Sequence, residues 1–279
     1  EPRVIDELMD TYIGNVLRED LNAPRPTTYV FLDEVQHIDH WQARLKRYYD
    51  LKLNLRFFVS GSASLNIRRK ARESLAGRIY EFRLNPLSFP EFLALKGEHV
   101  EPFEELVLSF EDARRAYESL VTGRPTITRL FNEYVLKGGF PELVDKTSLD
   151  RVHEYIRMSV VDRVVHGDIA QEYRIREVRL LRGLMETISQ NTGQTFDYEG
   201  LGRSLGASRQ TVSNYVSYLE DSFLIRITRN HTGSMLASTR KAKKIYAGDH
   251  GISNAVMRNK ESMFSEEAIG RIIATMVAN

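Results

Sequence analysis

Two apolar runs one helix-length apart constrain this chain more than any other feature. Thr28 to Leu32 (TYVFL) reads as a buried strand, and Leu55 to Val59 (LRFFV) reads as a second strand. Between them "DHWQARLKRYYDL" puts Trp41, Leu45 and Tyr48 at i, i+4 and i+7, one face of a helix. A strand, a helix and a strand at this spacing form a βαβ unit. The chain is therefore expected to build a parallel sheet with covering helices, the α/β class. In such sheets ligands lie outside the carboxyl ends of the strands. The first strand ends in Asp33 and Glu34, and the second ends in Ser60 and Ser62.

Adjacent carboxylates repel, and a site that needs both usually holds a cation. An apolar strand running into Asp-Glu is the pattern of a Walker B strand. There the Asp holds Mg²⁺ through its water shell and the Glu polarises the attacking water. The alternative is an acidic pair capping the next helix, since acids are favoured near helix N-termini.

Four stretches together, "FLDEVQHIDHWQARLKRYYDL", "FFVSGSASL", "ESLAGRIYEFRLNPLSFPEFL" and "LKGGFPEL", resemble the archaeal and bacterial AAA-type ATPases. That family carries a winged helix and a C-terminal domain of unknown function similar to a restriction-endonuclease fold. The resemblance covers nearly the whole chain through the order and spacing of short motifs. It implies ATP and Mg²⁺ as ligands, Asp33 as the Mg²⁺ ligand, Glu34 as the catalytic carboxylate, and Ser60 or Ser62 as the group that senses the γ-phosphate. It also makes Arg78 of "LAGR" a candidate for charge stabilisation, in cis or across a homo-oligomer. A surface salt bridge is the competing reading of Arg78. One departure stands out: the family's phosphate-binding loop ends in Gly-Lys-Ser/Thr, and here no Gly is followed by Lys. Truncation ahead of the opening helix is the expected cause, and the chain looks trimmed at both ends, opening without Met and closing inside a helix.

The implied fold is a partial P-loop NTPase sheet with a helical lid, then a winged helix and a truncated α/β C-terminal domain. The expected boundaries are 1–97 for the ATPase core, 98–175 for the lid, 176–231 for the winged helix and 232–279 for the start of the nuclease-like domain. Arg3 to Arg18 reads as a helix with Val4, Leu8 and Ile13 among its apolar positions. "LKGGFPE" reads as a sharp turn using two glycines and Pro141. In the winged-helix region Asp197 is the expected N-cap of a short helix, and Gly206 the turn that ends it. The following helix carries Val212, Val216 and Leu219 as its apolar stripe. That leaves Arg209, Gln210, Ser213 and Asn214 exposed, side chains able to bond phosphates and base edges of double-stranded DNA. The basic run Arg240, Lys241, Lys243 and Lys244 leads into a strand and Asp249, which either caps the next helix or opens the nuclease-like domain. Only 30 residues follow Asp249, without a Glu-x-Lys, so nuclease activity is not expected.

Composition narrows the remaining classes. Lys plus Arg total 39 against 38 Asp plus Glu, which excludes a globally basic nucleic-acid coat. The absence of cysteine excludes disulfides, thiolate metal sites and thiol catalysis, and fits a cytoplasmic location. No apolar run approaches the roughly 20 residues of a membrane span. His37, His40, His153 and His166 lack metal-ligand spacing and read as surface or packing residues. Besides the ATPase, two classes compete: a DNA-binding regulator with a vestigial nucleotide site, and an assembly scaffold using its helices for protein contacts.

Overall fold

A computed structural model describes residues 4–18, 27–35, 38–61, 75–98, 125–228, 243–259 and 265–278, with Glu111, Arg114 and Glu118. They belong to two compact units, residues 1–83 and 84–279. His37, Ser62, Arg240 and Lys241 lie outside the described residues.

The first unit is the βαβ element. Helix α1 runs Val4–Met9 and continues as a wider turn over Asp10–Val16. Strand β1 (Thr28–Leu32) pairs in parallel with β2 (Leu55–Val59), Thr28 opposite Leu55 and Leu32 opposite Val59, and α2 (Trp41–Asp50) connects them. Trp41, Leu45 and Tyr48 are buried, as the helical spacing requires. On α1 the buried residues are Ile5, Met9 and Ile13; of the apolar positions expected from the sequence, Ile13 is buried, Val4 is half-buried and Leu8 is 58% exposed. Asp6 fixes that face by accepting a hydrogen bond from the Tyr48 hydroxyl (2.8 Å) and pairing with Arg44 (2.9 Å).

The expectation that Thr28 to Leu32 is buried holds for one side only. Val30, Leu32, Phe57 and Val59 pack on the core formed by α1 and α2. Tyr29, Phe31 and Phe58 face outward, with Phe31 stacked on Phe58 at 4.9 Å. The strand is apolar on both faces, as parallel strands usually are, but the described residues cover only one of them.

The second unit is mostly helical. It contains α3 (Phe89–Leu95), α4 (Pro125–Lys137), α5 (Leu149–Tyr155), α6 (Val178–Gln190), β3 (Thr195–Phe196), α7 (Tyr198–Leu205) and α8 (Arg209–Asp221). Strands β4 (Ile225–Thr228) and β5 (Lys243–Ala247) and helices α9 (His250–Met257) and α10 (Glu266–Ala278) follow. Strand β5 lies between β3 and β4, antiparallel to both. After α5 the chain stays helical with wider bonding over Ile156–Ile169. Its buried positions, Ile156, Val161, Val165 and Ile169, step by five, four and four residues, longer than the 3.6-residue α repeat. One apolar cluster draws on residues from Leu143 to Ala255.

The C-terminal end of α4 is the most constrained point of this unit. The last carbonyls of a helix have no partner within it and must find donors elsewhere. Here His250 Nε2 donates to Tyr134 O (2.8 Å) and Asn254 Nδ2 to Val135 O (2.8 Å), while His153 Nε2 lies 3.2 Å from Leu136 O. Gly138 turns the chain at φ +85°, and a Cβ there would collide with the Asp249 carboxylate and the Gly251 backbone. The Lys137 ammonium is buried and bonded to Glu133 (2.6 Å) and Val144 O (3.2 Å). Burial pushes Glu133 up, but hydrogen bonds from Lys137 and Lys96 and the charges of both outweigh it and hold the carboxyl below its ordinary value.

Candidate active site

The carboxyl edge of the parallel sheet is tied together by three hydrogen bonds. Ser60 N–H donates to Leu32 O (2.9 Å), Val35 N–H donates to Ser60 O (3.1 Å), and Ser60 Oγ donates to Asp33 Oδ1 (2.5 Å). The Glu34 amide also donates to Asp33 Oδ1 (3.0 Å). The Ser60 hydroxyl, followed by the Glu34 amide, holds the Asp33 carboxyl below its ordinary value, so it stays ionised. Both Asp33 and Ser60 are exposed. Glu34 sits at φ +48°, a left-handed conformation uncommon for any residue but glycine, and the turn it makes delivers buried Val35 to the core.

This set is suited to a hydrated magnesium ion. Asp33 Oδ1 is engaged by two donors, while no hydrogen bond reaches Oδ2 among the described residues. Mg²⁺ keeps several waters and takes one or two carboxylates together with substrate phosphates, so one ionised, open carboxylate oxygen fits it. Among the described residues no group of three or more His, Asp or Glu forms a metal cage, and a phosphate-assisted Mg²⁺ site needs none.

Arg78 lies elsewhere. Its Nε donates to Asp50 Oδ1 (3.1 Å) and its guanidinium lies over the Tyr49 ring (5.7 Å). Asp50 ends α2, and α2 runs back against the strands, so this pair sits near the amino edge, where Asn54 O accepts from the Thr28 amide (3.0 Å). The structure thus brings Asp33, the Glu34 backbone and Ser60 together and leaves Arg78 at the opposite end of the sheet. In the first turn of α2, Trp41 Nε1 and Gln42 Nε2 are buried donors without an acceptor among the described residues. Nothing in the residue pattern distinguishes them from ordinary helix residues.

The second candidate set lies on α8. Ser208 caps it, accepting from the Thr211 amide (3.0 Å), and Val212, Val216 and Leu219 face the core. Arg209, Gln210 and Asn214 are exposed and Ser213 is half-buried, with Gln210 Nε2 donating to Asn214 Oδ1 (2.9 Å). Asp197 caps α7 and Gly206 ends it at φ +68°. Of the basic run, Lys243 is described and places its ammonium over the Tyr198 ring (5.4 Å), while Lys244 is exposed. Asp249 is buried and caps α9, accepting from the amides of Gly251 (2.7 Å) and Gly139 (3.1 Å). His153 is buried, and His40 and His166 are exposed.

Residues 3–93 match the model of an AAA domain. The Asp33–Ser60 edge lies within that match, which makes this part of the chain similar to AAA-type ATPases. Residues 128–263 match a domain of unknown function, DUF8612, which contains α8 and Asp249. The chain is 26% identical to the uncharacterized protein MJ1544 of Methanocaldococcus jannaschii, over 96% of this chain and 57% of that protein. It is 22% identical to an uncharacterized protein of Haemophilus influenzae, over 90% of this chain and 58% of that one. A second M. jannaschii protein, MJ1637, is 24% identical over 92% and 54%. The chain thus spans a little over half the length of these relatives. No solved structure matches it. No helix among the described residues is long and apolar enough to cross a membrane.

Proposed function

We propose that this chain carries the Walker B edge of a Mg²⁺-dependent, AAA-type ATP hydrolase. The observation that carries the reading is the Ser60–Asp33 hydrogen bond, which joins the two strand ends at the carboxyl edge of a parallel sheet inside the AAA match. Bound Mg²⁺ would supply charge neutralisation for the phosphates. Asp33 would hold the ion's water shell through its open oxygen, with Ser60 and the Glu34 amide fixing the carboxylate's orientation. Glu34 would polarise the attacking water, and Ser60 or Ser62 would meet the γ-phosphate. Arg78 enters this reading only across a homo-oligomer interface, because within its own subunit it lies at the far edge of the sheet.

The chain has no Gly-Lys pair, so it lacks the backbone cradle and lysine that provide most phosphate contacts. It should therefore bind Mg-ATP weakly by itself. In a longer form that contains such a loop, Glu34→Gln should retain Mg-ATP binding and lose turnover by about a hundredfold to ten-thousandfold, the range for removing a general base. Asp33→Asn should also weaken the Mg²⁺ dependence. Turnover by Glu34→Gln at the unmodified rate would overturn the assignment, as would tight Mg-ATP binding to this chain in calorimetry.

A second reading concerns the other unit. The order α6, β3, α7, α8, β4, β5, with β5 between β3 and β4, supports a winged helix, and the exposed start of α8 supports contact with duplex DNA. A regulator that keeps only a vestigial nucleotide site is the alternative that this reading would favour. The division of the second unit into lid, winged helix and C-terminal portion belongs to the same proposal.

A further inference from the structure

Beside α8 lies an open groove that neither reading uses. It runs between the first half of α6 and the turn joining α7 to α8, and has a volume of about 600 Å³. Arg176 and Arg179 form part of its wall, with Glu177 between them in sequence, while Gly183, Leu205 and Gly206 also line it. Two features set it apart from an ordinary crease between helices.

The first is charge. Arg176 and Arg179 are both exposed, and neither makes an ion pair or side-chain hydrogen bond among the described residues. Arg182, one turn further along α6, is held by Asp162 (3.2 Å) and Glu186 (3.2 Å). The arginine outside the groove is therefore neutralised, while the two that line it have no ion pair among the described residues. Arg203 and Arg209, on the two helices joined by the Gly206 turn, likewise have no ion-pair partner among the described residues, and their charges help hold the Asp197 carboxyl below its ordinary value.

The second is space. Gly183 lies in the middle of α6, where glycine is the poorest helix former after proline. A Cβ there would meet only Leu205 Cδ2, at 3.6 Å, an ordinary contact, so packing does not demand the glycine. Gly206 is required by its positive φ, and a Cβ there would meet nothing within 4 Å. Side-chain atoms are thus missing from both sides of the groove.

We propose that this groove seats the sugar–phosphate backbone of the DNA duplex whose base edges face α8, an inference that rests on the winged-helix reading. Guanidinium groups pair bidentately with phosphate. Arg209 follows Gly206 by three residues, so the groove opens directly beside the start of α8. Backbone contacts in the groove would fix the register of the duplex, while Arg209, Gln210 and Asn214 read it.

Fluorescence anisotropy on labelled duplex DNA, followed across a salt series, tests this. The double variant Arg176→Ala/Arg179→Ala should weaken binding about tenfold or more for all sequences alike, and should lower the slope of log affinity against log salt by about 2. Gly183→Leu, which fills the groove without changing charge, should also weaken binding while keeping the protein folded by circular dichroism. Arg209→Ala should instead change sequence preference. If the unmodified chain binds duplex and the double variant binds with the same affinity and slope, the groove assignment is overturned and the α8 reading stands. If the unmodified chain binds no duplex at low salt, both are overturned.

Discussion

Asp33 and Asp249 occupy the same place in two different units. Each follows a short strand, β1 directly and β5 after Gly248, and each carboxylate accepts a backbone amide at the start of the next turn. Asp249 is buried, and its two oxygens are taken up by Gly251 and Gly139, so it joins β5 and α9 to the end of α4. Asp33 is exposed, and among the described residues only one of its oxygens is engaged. A strand that runs into aspartate is therefore not by itself a site. What separates the structural acid from the one proposed as a magnesium ligand is whether the described residues supply donors to both oxygens.

That contrast should be large when measured as stability. Asp249→Ala leaves two buried amides without acceptors and should cost the second unit about 3 to 5 kcal/mol, at about 1–3 kcal/mol for each orphaned group plus the loss of a charged acceptor. Asp33→Ala should leave unfolding unchanged. The single tryptophan, Trp41, lies in the core of the first unit, so its fluorescence reports that unit in a urea titration, while circular dichroism weights the helical second unit. Asp249→Ala should shift only the dichroism transition. Equal shifts in both signals, or none, would break the comparison.

The sequence made the first unit legible because its signals are local. The strands Thr28–Leu32 and Leu55–Val59 and the Trp41–Leu45–Tyr48 face require only period and polarity. The Asp197 and Gly206 signals at the ends of α7 were legible for the same reason. Cover was not legible: Tyr29 and Phe31 are as apolar as Val30 and Leu32, and only the fold decides which pair faces the core. Nor could the distance of Arg78 from Asp33 be read, because it depends on α2 running back along the sheet. The α4 joint lay furthest out of reach. His250 and Asn254 meet carbonyls of residues more than a hundred positions earlier, and no local pattern records that pairing.

The acids also differ in how pH should act through them. Glu133, held low by Lys137 and Lys96 against its burial, has a folded value below the ordinary 4.5. A carboxyl depressed in the folded state contributes stability that is fully present above its unfolded value and lost as pH falls through the folded one. The second unit should therefore weaken as pH drops below about 4.5. Glu133→Gln should flatten that part of the profile and lower stability at neutral pH, because Lys137 would keep its burial without its carboxylate. An unchanged acid profile in Glu133→Gln would mean that other carboxyls govern it.

The smallest effect should come from Ser60→Ala. The Ser60 hydroxyl is the principal cause of the low Asp33 carboxyl, with the Glu34 amide second, so its removal should move Asp33 upward towards its ordinary 3.8 while the amide retains part of the depression. Asp33 is exposed, and solvent screens the change, so the unfolding transition followed by Trp41 should not move. A carbon-detected NMR titration of the Asp33 carboxyl separates two accounts of the edge. An upward shift without loss of stability marks Ser60 as a group that orients and charges Asp33, the property a magnesium ligand needs. If the carboxyl titrates identically in Ser60→Ala, the bond between the strand ends does not persist in solution. The Asp33 edge would then lose the preorganisation on which the nucleotide reading rests.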